Sequence, residues 1–146
     1  MVINFEIADK LAIIIPRSQL LITAANPETY AEPIERLAKQ FEKCPKLYET
    51  HGKNDHPAIF HYFYGGTDIF ICEYDREDTM FGYTILNDDL EMSEWGYTSV
   101  SEICRIAPLN IDYWFEEQTI EAALYKRNPD YFRKPVSAYK PKGLPE

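Results

Sequence analysis

The chain lacks any long hydrophobic run. Its longest uninterrupted apolar stretch, Leu11 to Ile15, ends at Pro16, whereas a helix that crosses a membrane needs about 18 such residues. The N-terminus also lacks the pattern of a secretory signal, because Glu6 stands where a positive charge is expected and no small-residue cleavage site follows. We therefore expect a protein without a membrane segment that functions in the cytoplasm.

Cysteine is scarce. The three that occur, Cys44, Cys72 and Cys104, are odd in number and widely spaced, so they cannot complete a disulfide framework and suit a reducing compartment. Cys72 lies in an apolar run that begins at Ile69, where a buried thiol fits better than a nucleophile. We interpret all three as core thiols.

Sequence motifs for nucleotide binding and nucleophilic hydrolysis are absent: there is no Gly-x-Gly-x-x-Gly, no Gly-Lys-Ser/Thr loop and no Gly-x-Ser-x-Gly. The spacing of Cys44, His51, His56 and His61 matches no common zinc site. The acidic segments lack the glycine-containing loop of a calcium hand. We predict no metal ion and no cofactor.

Basic residues are outnumbered, with 15 Lys and Arg against 24 Asp and Glu. The excess is uneven: residues 126–146 carry six bases and two acids, whereas residues 1–125 carry nine bases and 22 acids, hence a net charge of −13. This charge disfavours direct binding of the body to nucleic acid. It favours a basic partner or mimicry of nucleic acid, and solubility alone is the simpler alternative.

The helical pattern is clearest early in the chain. Asn26, Pro27 and Glu28 have the features of a helix start. Apolar residues on one face then predict an amphipathic helix that ends near Lys43, with a kink or a restart at Pro33. The short apolar runs at 12–15 and 20–23 favour strands or extended segments, although helix remains an alternative for both.

From residue 59 onward the pattern changes to strands. We predict strands at 59–64, 68–75, 80–86 and 94–99, joined by short polar turns, of which Gly65-Gly66 is the tightest. Such short connections imply an antiparallel meander. Residues 111–115 are a candidate fifth, edge strand. Ser99 or Ser101 caps a short helix, and another begins near Ile120.

The predicted fold is therefore α+β: an antiparallel meander of four to five strands with an amphipathic helix packed on one face and short helices near the C-terminus. We expect one domain over residues 1–125, followed by a basic, proline-rich tail at 126–146. This tail contacts nucleic acid or another subunit in one interpretation, and is simply a disordered end in the other.

Residues 46–115 resemble a family of small bacterial proteins catalogued as domain of unknown function 2958. The resemblance is carried by Glu73-Tyr74-Asp75, by Phe81-Gly82-Tyr83, by the run from Glu94 to Ile103 and by Asp112 to Phe115. The match is looser at two places. The family usually has a tryptophan or other aromatic residue in the strand after the first hairpin turn, where this chain has Ile69-Phe70, and it usually has phenylalanine-serine-leucine in place of Thr98-Ser99-Val100. The resemblance implies a protein carried on plasmids, phages or conjugative elements, and it implies no particular activity.

Four residues are candidates for acid/base chemistry: Glu73, Asp75, Tyr83 and Glu94. Glu73 and Asp75 are two residues apart and are expected on one strand face, next to a neighbouring strand that carries Tyr83. Two carboxylates beside a tyrosine perform such chemistry if burial raises one pKa. The alternative is a solvated strand end, with the aromatic and glycine residues serving packing.

The aromatic supply is large, with 11 Tyr, eight Phe and two Trp, and such rings are enriched at the centres of protein contacts. Our candidate binding residues are Tyr62, Tyr64, Tyr83, Trp95, Tyr97 and Trp114. In particular, Phe60, Tyr62 and Tyr64 alternate and predict one aromatic row, which either binds a partner or packs under the amphipathic helix.

The function that these observations favour is a non-enzymatic protein-interaction module of a bacterial mobile element or its host, with an unidentified protein partner. A small acid/base enzyme of hydrolase type and an acidic mimic of nucleic acid are the alternatives. Homo-oligomerisation is left open.

Overall fold

A computed structural model of the chain describes residues 5–106 and 108–135. Its elements in chain order are α1 (Phe5–Ile14), α2 (Arg17–Ala25), α3 (Pro27–Lys43), β1 (Pro57–Ala58), β2 (Phe60–Tyr64), β3 (Thr67–Tyr74), β4 (Thr79–Leu86), β5 (Asp89–Ser99), α4 (Val100–Arg105), β6 (Asn110–Ile111), β7 (Gln118–Thr119) and α5 (Ile120–Arg127). The α+β class is confirmed. None of the helices in these two ranges combines the length and the apolarity that a membrane crossing requires.

Strands β2 to β5 form the predicted antiparallel meander. The five-stranded sheet has the order β5-β4-β3-β2-β6, and β1 pairs with β7 in a separate two-stranded sheet. Gly65, at a φ of 54°, makes the β2–β3 turn, and Asn87 and Asp88, at 50° and 61°, make the β4–β5 turn. Two consecutive residues of positive φ match the twist of a hairpin.

Helices α1, α3 and α4 cover one face of the sheet. Leu11, Ile34, Leu37 and Ile103 from these helices are buried in one cluster with inward-facing sheet residues such as Ile71. A second, smaller cluster on the opposite face joins Phe70, Cys72 and Ile85 to Ile120 and Leu124 of α5. Each face of the sheet therefore has its own core.

The two early apolar runs are helical, so our preference for strands there was wrong. Leu11, Ile14 and Ile15 are buried, which is the i, i+3, i+4 spacing of one helix face. Pro16 separates α1 from α2, and its carbonyl accepts a hydrogen bond from the Leu20 amide at 2.9 Å. Short apolar runs do not distinguish strand from buried helix, and here packing against α3 and α4 decided between them.

Three details of the helices and strands go beyond the prediction or differ from it. Helix α3 runs from Pro27 to Lys43 as a single element that includes Pro33, and the Asn26 side chain bonds back to the Ile22 carbonyl rather than capping the helix. Ser99 does cap α4, by accepting from the Glu102 amide. The predicted edge strand at 111–115 is reduced to Asn110–Ile111, beside β2.

Part of the predicted tail contacts the body. Helix α5 extends to Arg127, whose guanidinium binds Asp68 and Asp88. Phe132 packs edge-on against Tyr83, with ring centroids 5.8 Å apart. The remainder of the tail, 136–146, lies outside the described residues.

Candidate binding surface

Glu73, the first acid/base candidate, is buried in a structural role. A bulge between Ile71 and Glu73 breaks the register of β3 with β4 and leaves the Glu73 side chain 2% exposed. Its carboxylate accepts the amides of Tyr48 at 2.7 Å and Thr50 at 3.0 Å, together with the Thr50 hydroxyl. Because both of its oxygens accept hydrogen bonds from Tyr48 and Thr50, the group anchors the 46–52 loop.

The other three acid/base candidates lie elsewhere. Asp75 uses one oxygen to accept the amides of Glu77, Asp78 and Thr79, which closes the β3–β4 turn. The Tyr83 hydroxyl pairs with Ser93 at 2.8 Å.

Glu94 is an exposed residue of β5. It pairs with Thr84, one position from Tyr83, so it projects from the opposite face of the sheet. Among the described residues no hydrogen bond joins any two of these four groups, and Glu94 lies on the other face of the sheet from Tyr83.

Aromatic rings form a continuous row on the face of the sheet that α1, α3 and α4 leave uncovered. Along the row, the distance between ring centroids is 6.3 Å for Tyr48–Tyr97, 5.0 Å for Tyr97–Phe81, 5.9 Å for Phe81–Trp95, 5.3 Å for Trp95–Tyr83 and 5.8 Å for Tyr83–Phe132. These spacings are those of favourable aromatic pairs. We call these six residues the aromatic surface.

The aromatic surface has an exposed rim and a half-buried centre. Tyr48 and Tyr97 are 65% and 54% exposed, while Phe81, Tyr83 and Trp95 are half-buried. The cross-strand register places Tyr83 opposite Trp95, and Phe81 opposite Tyr97. A half-buried centre on two paired strands, bordered by accessible tyrosines, makes this surface a candidate for contact with a partner.

A histidine–glutamate pair borders the aromatic surface. His56 stacks on Trp95 with centroids 4.4 Å apart. Its Nδ1 lies 2.6 Å from Oε2 of Glu121, and its amide donates to Oε1 at 3.0 Å. The pair holds the start of β1 against α5 and fixes the imidazole orientation, as a carboxylate does for a general base.

The predicted binding residues divide between the two faces. Tyr83, Trp95 and Tyr97 belong to the aromatic surface. Tyr62 is fully buried under the helices, and its hydroxyl donates to the Ile14 carbonyl at 2.6 Å, so it is a core residue.

Tyr64 is 55% exposed, but it lies two residues from Tyr62 on the same strand and therefore on the helix-covered side. Trp114 is exposed in the segment after β6, outside the aromatic surface.

The prediction missed Tyr48, Phe81, Phe132 and His56 as members or neighbours of this surface. The alternation of Phe81 with Tyr83, and of Trp95 with Tyr97, was a usable signal, because residues two apart on a strand share a face. Tyr48 and Phe132 come from loops that reach the sheet from distant parts of the chain, and no local pattern announces them.

A charged network ties the β2–β3 hairpin to α5. His61 Nε2 lies 2.6 Å from Asp68 Oδ1, and Nδ1 lies 3.4 Å from Asp112 Oδ2. Burial alone would lower the pKa of His61, but the hydrogen bonds to Asp112 and Asp68 outweigh burial and raise it. The ring also stacks on Phe70 at 4.6 Å.

The pKa values of the two carboxylates in this network are lowered, whereas that of His61 is raised. Burial would raise the pKa of Asp68, but hydrogen bonds from His61 and Arg127 lower it. Burial likewise opposes the lowering of the pKa of Asp112 by His61 and the Trp114 amide. Both acids are therefore ionised partners of a cation, which is a structural arrangement.

The three cysteines have raised pKa values and keep their protons at neutral pH. Burial raises the pKa of Cys44 and Cys72 to about 12 and that of Cys104 to about 11. A thiol with such a pKa is a poor nucleophile at neutral pH. Within residues 5–106 and 108–135, no group of three His, Cys, Asp or Glu side chains is placed to hold a metal ion.

The chain matches no family model, no curated protein and no solved structure. Its resemblance to domain of unknown function 2958 therefore stays a prediction.

Proposed function

We propose that this chain is a non-enzymatic interaction module that binds a protein partner through its aromatic surface. The observation that carries the proposal is the unbroken row of six rings, accessible at Tyr48 and Tyr97, on the sheet face opposite the three packed helices, where it borders the smaller core under α5. Tyrosine and tryptophan supply large contact area at low cost in side-chain entropy. The resemblance noted above would place such a module in a bacterial mobile element or its host.

The partner that suits this surface best is basic. Residues 1–125 carry a net charge of −13, which attracts and orients a cationic protein at long range. At contact, lysine and arginine side chains bind over the faces of tyrosine and tryptophan rings. Charge and ring chemistry therefore favour the same class of partner.

The two alternatives receive less support. Among the described residues no hydrogen bond joins any two of Glu73, Asp75, Tyr83 and Glu94, and internal contacts occupy Glu73 and Asp75. His56 and Glu121, which were not among the predicted residues, form a contact of 2.6 Å. Mimicry of nucleic acid calls for exposed rows of acids. Internal contacts occupy three of the acids, Glu73, Asp68 and Asp112, which are therefore not available to such rows.

The proposal is tested by placing a photo-crosslinking phenylalanine analogue at position 97 or at position 64. Tyr97 and Tyr64 are the same residue type with nearly equal exposure, 54% and 55%, on opposite faces of the sheet. In extract of the source organism, we expect position 97 to capture a defined protein at a fixed ratio and position 64 not to.

The captured protein is then titrated by calorimetry. Tyr97→Ser should weaken binding at least about tenfold, whereas Tyr64→Ser should change it less than about twofold. Equal effects of the two substitutions, or equal crosslinking from both positions, would show that the aromatic surface is not the contact.

A further inference from the structure

A cavity of about 360 Å³ opens between α1, α3 and the β3–β4 turn. Its walls are largely apolar and are lined by Leu11, Ile13, Ala38, Phe41 and Tyr74, with Lys10, Glu42 and Arg76 completing the lining. For comparison, an engineered cavity of about 150 Å³ holds benzene, and ligand pockets begin at about 300 Å³. The space therefore suits a small molecule with a hydrocarbon body.

Tyr74 is one of the residues that line this cavity. It is 1% exposed, its ring packs edge-on against Phe41 at 5.9 Å, and among the described residues none hydrogen-bonds its hydroxyl. Tyr62 and Tyr113, the other buried tyrosines, both bond within the fold, to the Ile14 carbonyl and to Thr23.

Tyr74 is a donor under all ordinary conditions. Burial raises its pKa to about 12, with Asp75 and Asp78 adding to the increase and Arg76 opposing it. The hydroxyl therefore keeps its proton and offers it to an acceptor that enters the cavity.

Arg76 is held at the cavity by the backbone. It takes a positive φ of 63° in the β3–β4 turn, and its guanidinium donates to the carbonyls of Tyr74, Phe41 and Cys44 at 3.2, 3.2 and 2.7 Å. The guanidinium carbon lies 5.7 Å from the centre of the Phe41 ring. A guanidinium has five N–H groups, so N–H groups of Arg76 remain that these three bonds do not use.

The charges at the cavity differ from those of the chain as a whole. Lys10 and Arg76 supply two cations against the single carboxylate of Glu42, although acids exceed bases by more than two to one in residues 1–125. A local excess of positive charge beside an apolar wall is complementary to an amphipathic anion.

We propose that this cavity binds a medium-length aliphatic carboxylic acid, with its hydrocarbon chain against Leu11, Ala38 and Phe41 and its carboxylate near Tyr74, Arg76 and Lys10. The inference is independent of the proposed partner binding, because the cavity lies on the helix-covered face and the aromatic surface on the other. A carboxylate satisfies the hydroxyl and the cations together, which an alcohol or an amine does not.

The test uses octanoate as the probe, with 1-octanol and octylammonium as head-group controls, by calorimetry and by amide chemical shifts in NMR. We expect octanoate to bind with a Kd of about 1 mM or tighter and to shift amides of α1, α3 and the β3–β4 turn. The alcohol should bind about tenfold more weakly, and the ammonium more weakly still.

Variants separate the cavity from non-specific adsorption. Ala38→Met should fill the space and weaken octanoate binding at least about tenfold, and Lys10→Gln should weaken it about threefold. The matched variant Lys39→Gln alters an exposed lysine of α3 that does not line the cavity, and it should bind as the parent protein does.

Tyr74→Phe distinguishes a ligand-binding hydroxyl from a structural one. It should weaken octanoate binding about tenfold without lowering the urea midpoint of the free protein, because no described bond is lost. The proposal is overturned by absence of binding to the parent protein, by equal affinity for octanoate and octylammonium, or by unchanged affinity in both Ala38→Met and Tyr74→Phe.

Discussion

The two faces of the sheet use the same kinds of residue for opposite purposes. On the helix-covered face, Tyr62 lies in an aliphatic core, and its hydroxyl donates a hydrogen bond to the backbone of α1. On the other face, Tyr83, Trp95 and Tyr97 pack against other rings and stay partly accessible. A tyrosine is thus a core residue or a surface residue according to what packs above it, and its own strand does not decide which.

A one-residue bulge decides which side chains of β3 point to which face of the sheet. Up to Ile71 the strand alternates regularly, but the bulge shifts the register by one before Glu73. Glu73 thereby joins Cys72 on the side of the aromatic surface, and Tyr74 turns toward the helices. Without the bulge the carboxylate would point into the aliphatic core, where three donors would not be available.

The largest predicted effect comes from two glycines that face each other across β4 and β5. A Cβ on Gly82 would collide with the Phe70 carbonyl oxygen, whereas a Cβ on Gly96 meets nothing within 4 Å. We expect Gly82→Ala to lower the free energy of unfolding by at least about 3 kcal/mol and Gly96→Ala to change it little. Urea denaturation measures both, and equal values would refute the described sheet packing.

Glu73 supplies the next largest effect. Glu73→Ala would leave two amides and a hydroxyl without an acceptor, so the free energy of unfolding should fall by about 3 kcal/mol. Glu94→Ala, at an exposed position, should cost less than about 0.5 kcal/mol. Urea denaturation of the two variants side by side distinguishes an anchoring acid from an exposed one, and a tolerated Glu73→Ala would contradict the anchoring role.

A smaller, pH-dependent effect is expected from His61. Because its folded pKa is raised above the ordinary 6.5, its stabilisation is complete below pH 6.5 and is lost as the pH rises through the folded value. Asp68 and Asp112 have lowered pKa values, so their stabilisation is present above the ordinary 3.8 and is lost as the pH falls through the folded values.

Stability should therefore decline as the pH rises above about 6.5 and through the raised folded pKa of His61, and this decline should be absent from His61→Gln. The exposed His51→Gln serves as the control and should follow the parent protein. Urea midpoints across the range provide the measurement. A decline that persists in His61→Gln would assign it to other groups.

The smallest effect concerns the rim of the aromatic surface. Tyr97→Ser and Tyr64→Ser should both leave the urea midpoint nearly unchanged, because the two side chains are exposed to a similar degree. The two faces then differ in partner binding alone. A large loss of stability in Tyr97→Ser would mean that Tyr97 is structural, and the comparison between the faces would fail.

Some of the structure was predictable because it follows from local patterns. Pro27 and the apolar stripe to Phe41 defined α3, and Gly65-Gly66 together with the polar turns defined the meander. The early apolar runs were misassigned because residues 12–15 carry no periodicity long enough to separate helix from strand. Only their packing against α3 and α4 made them helical.

The candidate site was less predictable than the fold. Rings two residues apart on a strand include Phe81 with Tyr83 and Trp95 with Tyr97, but Tyr62 and Tyr64 follow the same rule on the opposite face. Alternation identifies which residues share a face, and it does not say which face a helix will cover.

The sequence by itself determined an antiparallel α+β domain, because short turns between β-favouring runs permit little else. Only the tertiary structure decided that Glu73 is an anchor, that Tyr62 is core, and that Tyr48 and Phe132 extend the row of rings. These outcomes depend on a bulge and on loops that return from distant positions. Contacts of that kind are set by packing in three dimensions, which no local spacing encodes.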